Sequence, residues 1–175
     1  MTTATEKTLR RWKNTAFEHS VPAGGRTGLV DNKEIAALLA QLCVAWPHFE
    51  DQMISVFRDL LGSQRGDSET ARLVFTSLVN QKIRIDLMRA LLERSRLNKD
   101  KGVVYDEVLD EFKKLNDLRN RYVHGRWWTH ENGDTFLQSD NSVPFTHVKY
   151  RKVTAKELQL FLSRLKTLWG RVLFK

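Results

Sequence analysis

The sequence predicts a mainly α-helical protein, an antiparallel helical bundle with a small β-hairpin or meander inserted between its third and last helices. Three observations carry this expectation. Apolar residues recur at steps of three and four through most of residues 31 to 124, the pattern turns to alternation after residue 126, and the helical period returns from Thr154 onward.

Residues 1–28 mix Thr, Arg, Gly and Pro without a sustained period, so a flexible basic N-terminal arm is expected there, followed by one helical domain over 29–175. Asp31 with Glu34 has the spacing of an N-cap pair. Behind it, Ile35, Leu38, Leu42, Trp46, Phe49, Met53, Val56 and Leu60 form the stripe of a long first helix, whose phase survives Pro47 with a kink expected there. Gly62 to Gly66 interrupts the period. Asp67 or Ser68 is then placed to cap a second helix carrying Phe75, Leu78, Val79, Ile83, Leu87 and Leu91 to about Leu97, antiparallel to the first.

A polar turn over residues 98–102 precedes a third helix with Val108, Phe112, Leu115 and Tyr122, expected to stop at His124-Gly125 because glycine is favoured just past a helix end. Next, residues 126–129 and 135–138 flank Glu131-Asn132-Gly133-Asp134, whose Asn-Gly pair suits a type I′ hairpin turn, and Phe145 to Val153 alternates as a third strand. Thr154 and Glu157 have the spacing of a capping box ahead of Leu158, Phe161, Leu162, Leu165, Leu168 and Trp169.

With 175 residues and 41% hydrophobic content, the chain supports one core. No stretch approaches the ~20 apolar residues that cross a bilayer, and no apolar signal-peptide core follows Arg10, Arg11 and Lys13. Cys43 is the single cysteine, set in an apolar run and expected to pack there, which fits a reducing, cytoplasmic location. The formal charge of +8 points to an anionic partner, since such a field attracts phosphate backbones. His130 and His147 have no Cys pair, HExxH or carboxylate cluster at ligand spacing, so neither metal nor cofactor is expected.

Along the third helix the stripe runs Val108, Phe112, Leu115, Arg119, Tyr122, so Arg119 takes an apolar position where a guanidinium demands an anionic partner. Asn120 and His124 are one turn apart on an adjoining face, with Asn116 a turn earlier. Arginine and histidine suffice for metal-free RNA cleavage by the strand's own 2′-hydroxyl. Histidine ordinarily titrates near about pH 6.5 and can pass a proton in either direction. Arginine can grip phosphate oxygens bidentately. Arg126, Trp127 and Trp128 follow, a basic residue beside aromatics that can stack on an unpaired base. Adjacent tryptophans on a strand face opposite ways, so one is expected in the core.

The segment Leu118-Arg119-Asn120-Arg121-Tyr122-Val123-His124-Gly125 resembles the R-x4-6-H motif of the HEPN family of RNA-cleaving helical proteins, including the polar residue after the arginine. The resemblance implies Arg119, His124 and Asn120 as catalytic residues; Arg121, Arg126, Trp127 and Trp128, by their charge and aromatic character beside that site, are expected to contact RNA. It also implies a homodimer with a composite cleft and a setting in toxin-antitoxin systems or phage defence, with an antitoxin as a further partner. One subgroup carries a tyrosine two residues after the histidine; Arg126 stands there in this chain, so that subgroup's regulation is not carried over. The alternative is a catalytically inactive dimerisation or RNA-binding module of the same fold.

Overall fold

The computed structural model describes residues 26–27, 32–62, 67–94, 99–138 and 150–173. Their order is β1 (Arg26–Thr27), α1 (Lys33–Leu61), α2 (Ser68–Ser77), α3 (Gln81–Arg94), α4 (Lys99–His124), β2 (Trp127–Thr129), β3 (Thr135–Gln138), β4 (Tyr150–Val153) and α5 (Ala155–Leu173). The architecture is mainly helical with a small antiparallel sheet in the order β1-β2-β3-β4. The described residues fall into two compact units, those up to Leu38 with those from Arg121 to Leu158, and those from Leu39 to Asn120 with those after Leu158. Most of the expected arm lies outside the described residues, but its end, Arg26–Thr27, pairs with β2.

The second of these units is helical. All eight stripe residues predicted for α1 are buried, because one face of the helix repeats at the period of the pattern. The helix is continuous across Pro47, which is exposed and whose missing N–H removes one bond of the ladder. Cys43, expected to pack, is exposed, since it lies one position past Leu42 and falls off the buried face. Trp46 stacks on Phe112 at 5.7 Å between ring centres, and Phe49 meets Phe112 at 5.3 Å. Such pairs add about 0.5–1.5 kcal/mol each beyond the area they bury.

The predicted second helix is two helices. Leu78 is extended and residues 78–80 are not helical. Asn80 begins α3 by accepting the Lys82 N–H at 2.8 Å through its side chain, while Arg84 Nε donates to the Leu78 carbonyl at 2.6 Å. The break shifts the apolar phase. Ala71, Phe75, Ile85 and Met88 are buried, whereas Val79 is 94% exposed. Asp67 caps α2, accepting the Thr70 N–H at 2.6 Å. Contacts of α2 with α1 run in opposite sequence directions, Arg58 to Ser68 and Asp51 to Arg72, so that pair is antiparallel as expected. Ion pairs tie the later helices: Arg89 of α3 to Asp106 and Asp110 of α4, and Arg164 and Arg171 of α5 to Glu111 and Glu107 of α4. Of the polar turn expected at 98–102, residues 99–102 belong to α4, and residue 98 lies outside the described residues.

In the other unit, β2 and β3 sit where the sequence places them. The turn between them differs. Gly133 has φ +85°, but among the described residues no non-glycine has positive φ, so Asn132 cannot take the type I′ conformation. Instead, Gly133 N–H donates to the His130 carbonyl at 2.9 Å and His130 N–H to the Asp134 carbonyl at 2.8 Å. This is a three-residue loop with glycine in the left-handed position. Asn132 contributes through its side chain, accepting the Asp134 N–H at 2.9 Å.

The first residues of α1 are tied to that turn. Asn32 caps the helix, accepting the Ile35 N–H at 3.1 Å, and Asp31 lies outside the described residues. The Asn32 amide nitrogen donates to Thr135 Oγ1 at 2.7 Å. Of the expected third strand, Tyr150–Val153 is formed, and residues 145–149 lie outside the described residues.

Candidate functional site

The helix α4 is unbroken from Lys99 to His124 and carries the whole Arg119–His124 segment. It crosses from one compact unit to the other between Asn120 and Arg121. Five positions at about 100° per residue place Arg119 and His124 about 140° apart around an ideal helix.

On the helical unit's side, Arg119 is half-buried. Its guanidinium carbon lies 5.7 Å from the centre of the Trp46 ring, and its Nη1 donates to Asn120 Oδ1 at 2.9 Å. The expected demand for a partner on the apolar stripe is thus met in part by an aromatic face and a neighbouring amide. Asn120 is exposed, while Asn116 is buried, so the two expected companions on one face differ in their access to solvent.

On the other side, Arg121, His124 and Arg126 are exposed. The backbone that presents them is held from several directions. Gly125 N–H donates to the Arg121 carbonyl at 2.9 Å. The Trp127 indole N–H donates to the Tyr122 carbonyl at 2.8 Å. Both carbonyls belong to the last turn, where no further helical amide is available to them. Gly125 does not have the positive φ expected of a helix-end glycine. Its role is space: a Cβ there would collide with the Arg121 carbonyl oxygen and the Leu137 side chain.

Trp127 is the core member of the tryptophan pair and is committed to the helix end, so it is not placed to stack on RNA. Trp128, half-buried, meets Tyr150 edge to face at 5.9 Å.

Tyr122, inside the motif, is buried, and its hydroxyl donates to Glu157 Oε1 at 2.8 Å. The same oxygen pairs with Arg151 Nη1 at 2.6 Å. Burial, and then the adjacent Glu157 charge, push the Tyr122 hydroxyl well above the usual phenol range. Glu157 therefore does not complete the expected capping box. Its N–H bonds Thr154 Oγ1 at 3.3 Å, but its carboxylate turns inward to Tyr122 and Arg151. Arg151 is buried, whereas Lys152 is exposed and pairs with Asp134 at 2.6 Å.

Sequence reasoning missed Arg151 and Glu157 as partners of the motif's tyrosine. The available signal was Tyr122 itself, since a tyrosine on a core-facing stripe brings a hydroxyl that needs a partner. His130 is part of the hairpin turn, and His147 and Lys149 lie outside the described residues. Among the described residues no group of three or more His, Cys, Asp or Glu is arranged to hold a metal ion, and no helix is long and apolar enough to cross a membrane. In comparisons with known proteins, no family model, no curated protein and no solved structure matches this chain.

Proposed function

We propose that the chain is a metal-independent endoribonuclease of the HEPN type, acting as a homodimer on RNA in toxin-antitoxin or phage-defence systems. The observation that supports this reading most is His124, an exposed imidazole on the last residue of the helix that also carries Arg119. In the proposed reaction a histidine takes the proton of the 2′-hydroxyl, whose oxygen attacks the adjacent phosphorus. The bond to the 5′-oxygen breaks, that oxygen is protonated, and a 2′,3′-cyclic phosphate and a 5′-hydroxyl result. Arg119 binds the non-bridging oxygens where charge builds, and Asn120 orients it through their hydrogen bond. Arg121 and Arg126, both exposed, steer the backbone, and the half-buried Trp128 is left as the aromatic contact.

Incubation of the protein with labelled RNA and a chelator tests the reading. Cleavage to cyclic-phosphate ends is expected, with His124→Ala slowing it by about 100-fold or more. Arg119→Ala is expected to slow it comparably. No cleavage, or cleavage undiminished in both variants, rejects it.

The seating of Arg119 over Trp46 and against Asn120 favours a second reading, in which the arginine is structural and the chain is a silent dimerisation or RNA-binding module. RNA binding without turnover is its signature.

A further inference from the structure

We infer that Trp127, Tyr122, Glu157 and Arg151 form a positioning network whose task is to hold the backbone of His124 still while its imidazole stays in solvent. The arrangement is carried by residues on both sides of the histidine. Two positions before it, the Tyr122 ring is buried and its hydroxyl is held by Glu157, itself paired with the buried Arg151. One position after it, Gly125 closes onto the Arg121 carbonyl in a space that admits no Cβ. Three positions after it, Trp127 turns back and donates its indole N–H to the Tyr122 carbonyl, and the two rings lie 6.3 Å apart at a 28° interplanar angle.

Helix ends ordinarily fray, and a solvated histidine on a last turn gains nothing from being immobilised. Here the terminal turn is secured by a charge pair of the buried Arg151 and the half-buried Glu157, which is costly to desolvate, and by a tryptophan acting as a side-chain cap. The exposed side chain in that turn with proton-transfer chemistry is His124, near the exposed Arg121. Trp127 and Glu157 are therefore positioning residues, acting on His124 through the backbone of Tyr122. The inference concerns the order of the turn and does not require that the chain cleave RNA.

Two variants of the full chain test it, Trp127→Phe, which keeps ring bulk and removes the donor, and Glu157→Gln, which keeps an acceptor for Tyr122 and removes the charge. Amide hydrogen exchange followed by NMR is expected to quicken about tenfold at residues 122–125 of Trp127→Phe, while amides of Val108–Leu115 keep wild-type rates. Glu157→Gln is expected to show a smaller local change of the same pattern. Should Trp127→Phe fail to fold, Glu157→Gln carries the test alone. Exchange at 122–125 that stays at the wild-type rate, or that quickens uniformly along α4, overturns the inference. Where the wild type cleaves RNA, kcat of Trp127→Phe is expected to fall with KM unchanged, and a change in KM alone counts against positioning. If the wild type does not cleave, the nuclease reading fails while the exchange result still decides this one.

Discussion

At the scale of single residues, the consequential feature is that Tyr122, inside the motif, is buried with its hydroxyl bonded to the Glu157 carboxylate. Its hydrogen bond to a carboxylate is of the stronger, charge-assisted kind, so Tyr122→Phe is expected to lower stability at neutral pH by about 1.5–3 kcal/mol in urea unfolding. Its hydroxyl pKa is raised in the folded state. A raised value means that the folded state holds the proton longer than the unfolded chain does. The stabilisation is therefore fully present below about pH 10, the unfolded phenol value, and is lost as the pH rises above it. The stability gap between wild type and Tyr122→Phe should narrow on that side, and a gap that widens above pH 10 would contradict the assignment.

Gly125 is the second such residue. Gly125→Ala is expected to cost about 1–3 kcal/mol, because one of the two atoms its Cβ would strike is a backbone oxygen that cannot move aside alone. An unchanged melting temperature would show that the close approach to Leu137 relaxes freely.

At the scale of elements, the short span 78–80 decides which face of the next helix is buried. A single continuous helix would have carried Val79 and Ile83 on the stripe begun by Phe75; the break turns both to solvent and brings Ile85 and Met88 inward. The contrast is measurable. Phe112→Ala, at a fully buried ring touching Trp46 and Phe49, is expected to cost about 3–5 kcal/mol. Val79→Ser should change stability by no more than about 0.5 kcal/mol. A large loss at Val79 would restore the continuous-helix reading.

The hairpin teaches the same lesson in smaller compass. Asn132-Gly133 marks the turn correctly in sequence, yet Asn132 uses its side chain on Asp134 and leaves the left-handed conformation to Gly133 alone.

At the scale of the whole molecule, the chain passes between its two compact units within α1, α4 and α5, and one of those passages falls inside the motif, between Asn120 and Arg121. The net charge of +8 is the property most relevant to an RNA partner. Under the proposed function, RNA affinity should fall steeply as salt is raised, since neutralised phosphates release counterions. Light scattering is expected to give twice the chain mass of 20.4 kDa. A monomer at working concentration removes the composite cleft that the proposal requires.

Legible along the chain were the mainly helical class, the complete buried stripe of α1, the α4 stripe and its stop at His124, and the positions of β2 and β3. These follow from period and turn chemistry, which act between residues a few positions apart and so can be read along the chain. Packing was needed to show which capping residue begins α1, where the second helix breaks, which tryptophan is core, and that Glu157 turns from its expected box to Tyr122 and Arg151. Two of these, the cap of α1 and the turn of Glu157, are choices between polar partners of similar local merit. A donor or acceptor from a distant part of the chain settles the choice, because a buried polar group costs far more unpaired than it gains from any one local alternative. For Arg119 the deciding groups are Trp46, far away in sequence, and Asn120 beside it. Period alone placed that arginine on an apolar stripe, and packing supplied the aromatic ring that receives it there.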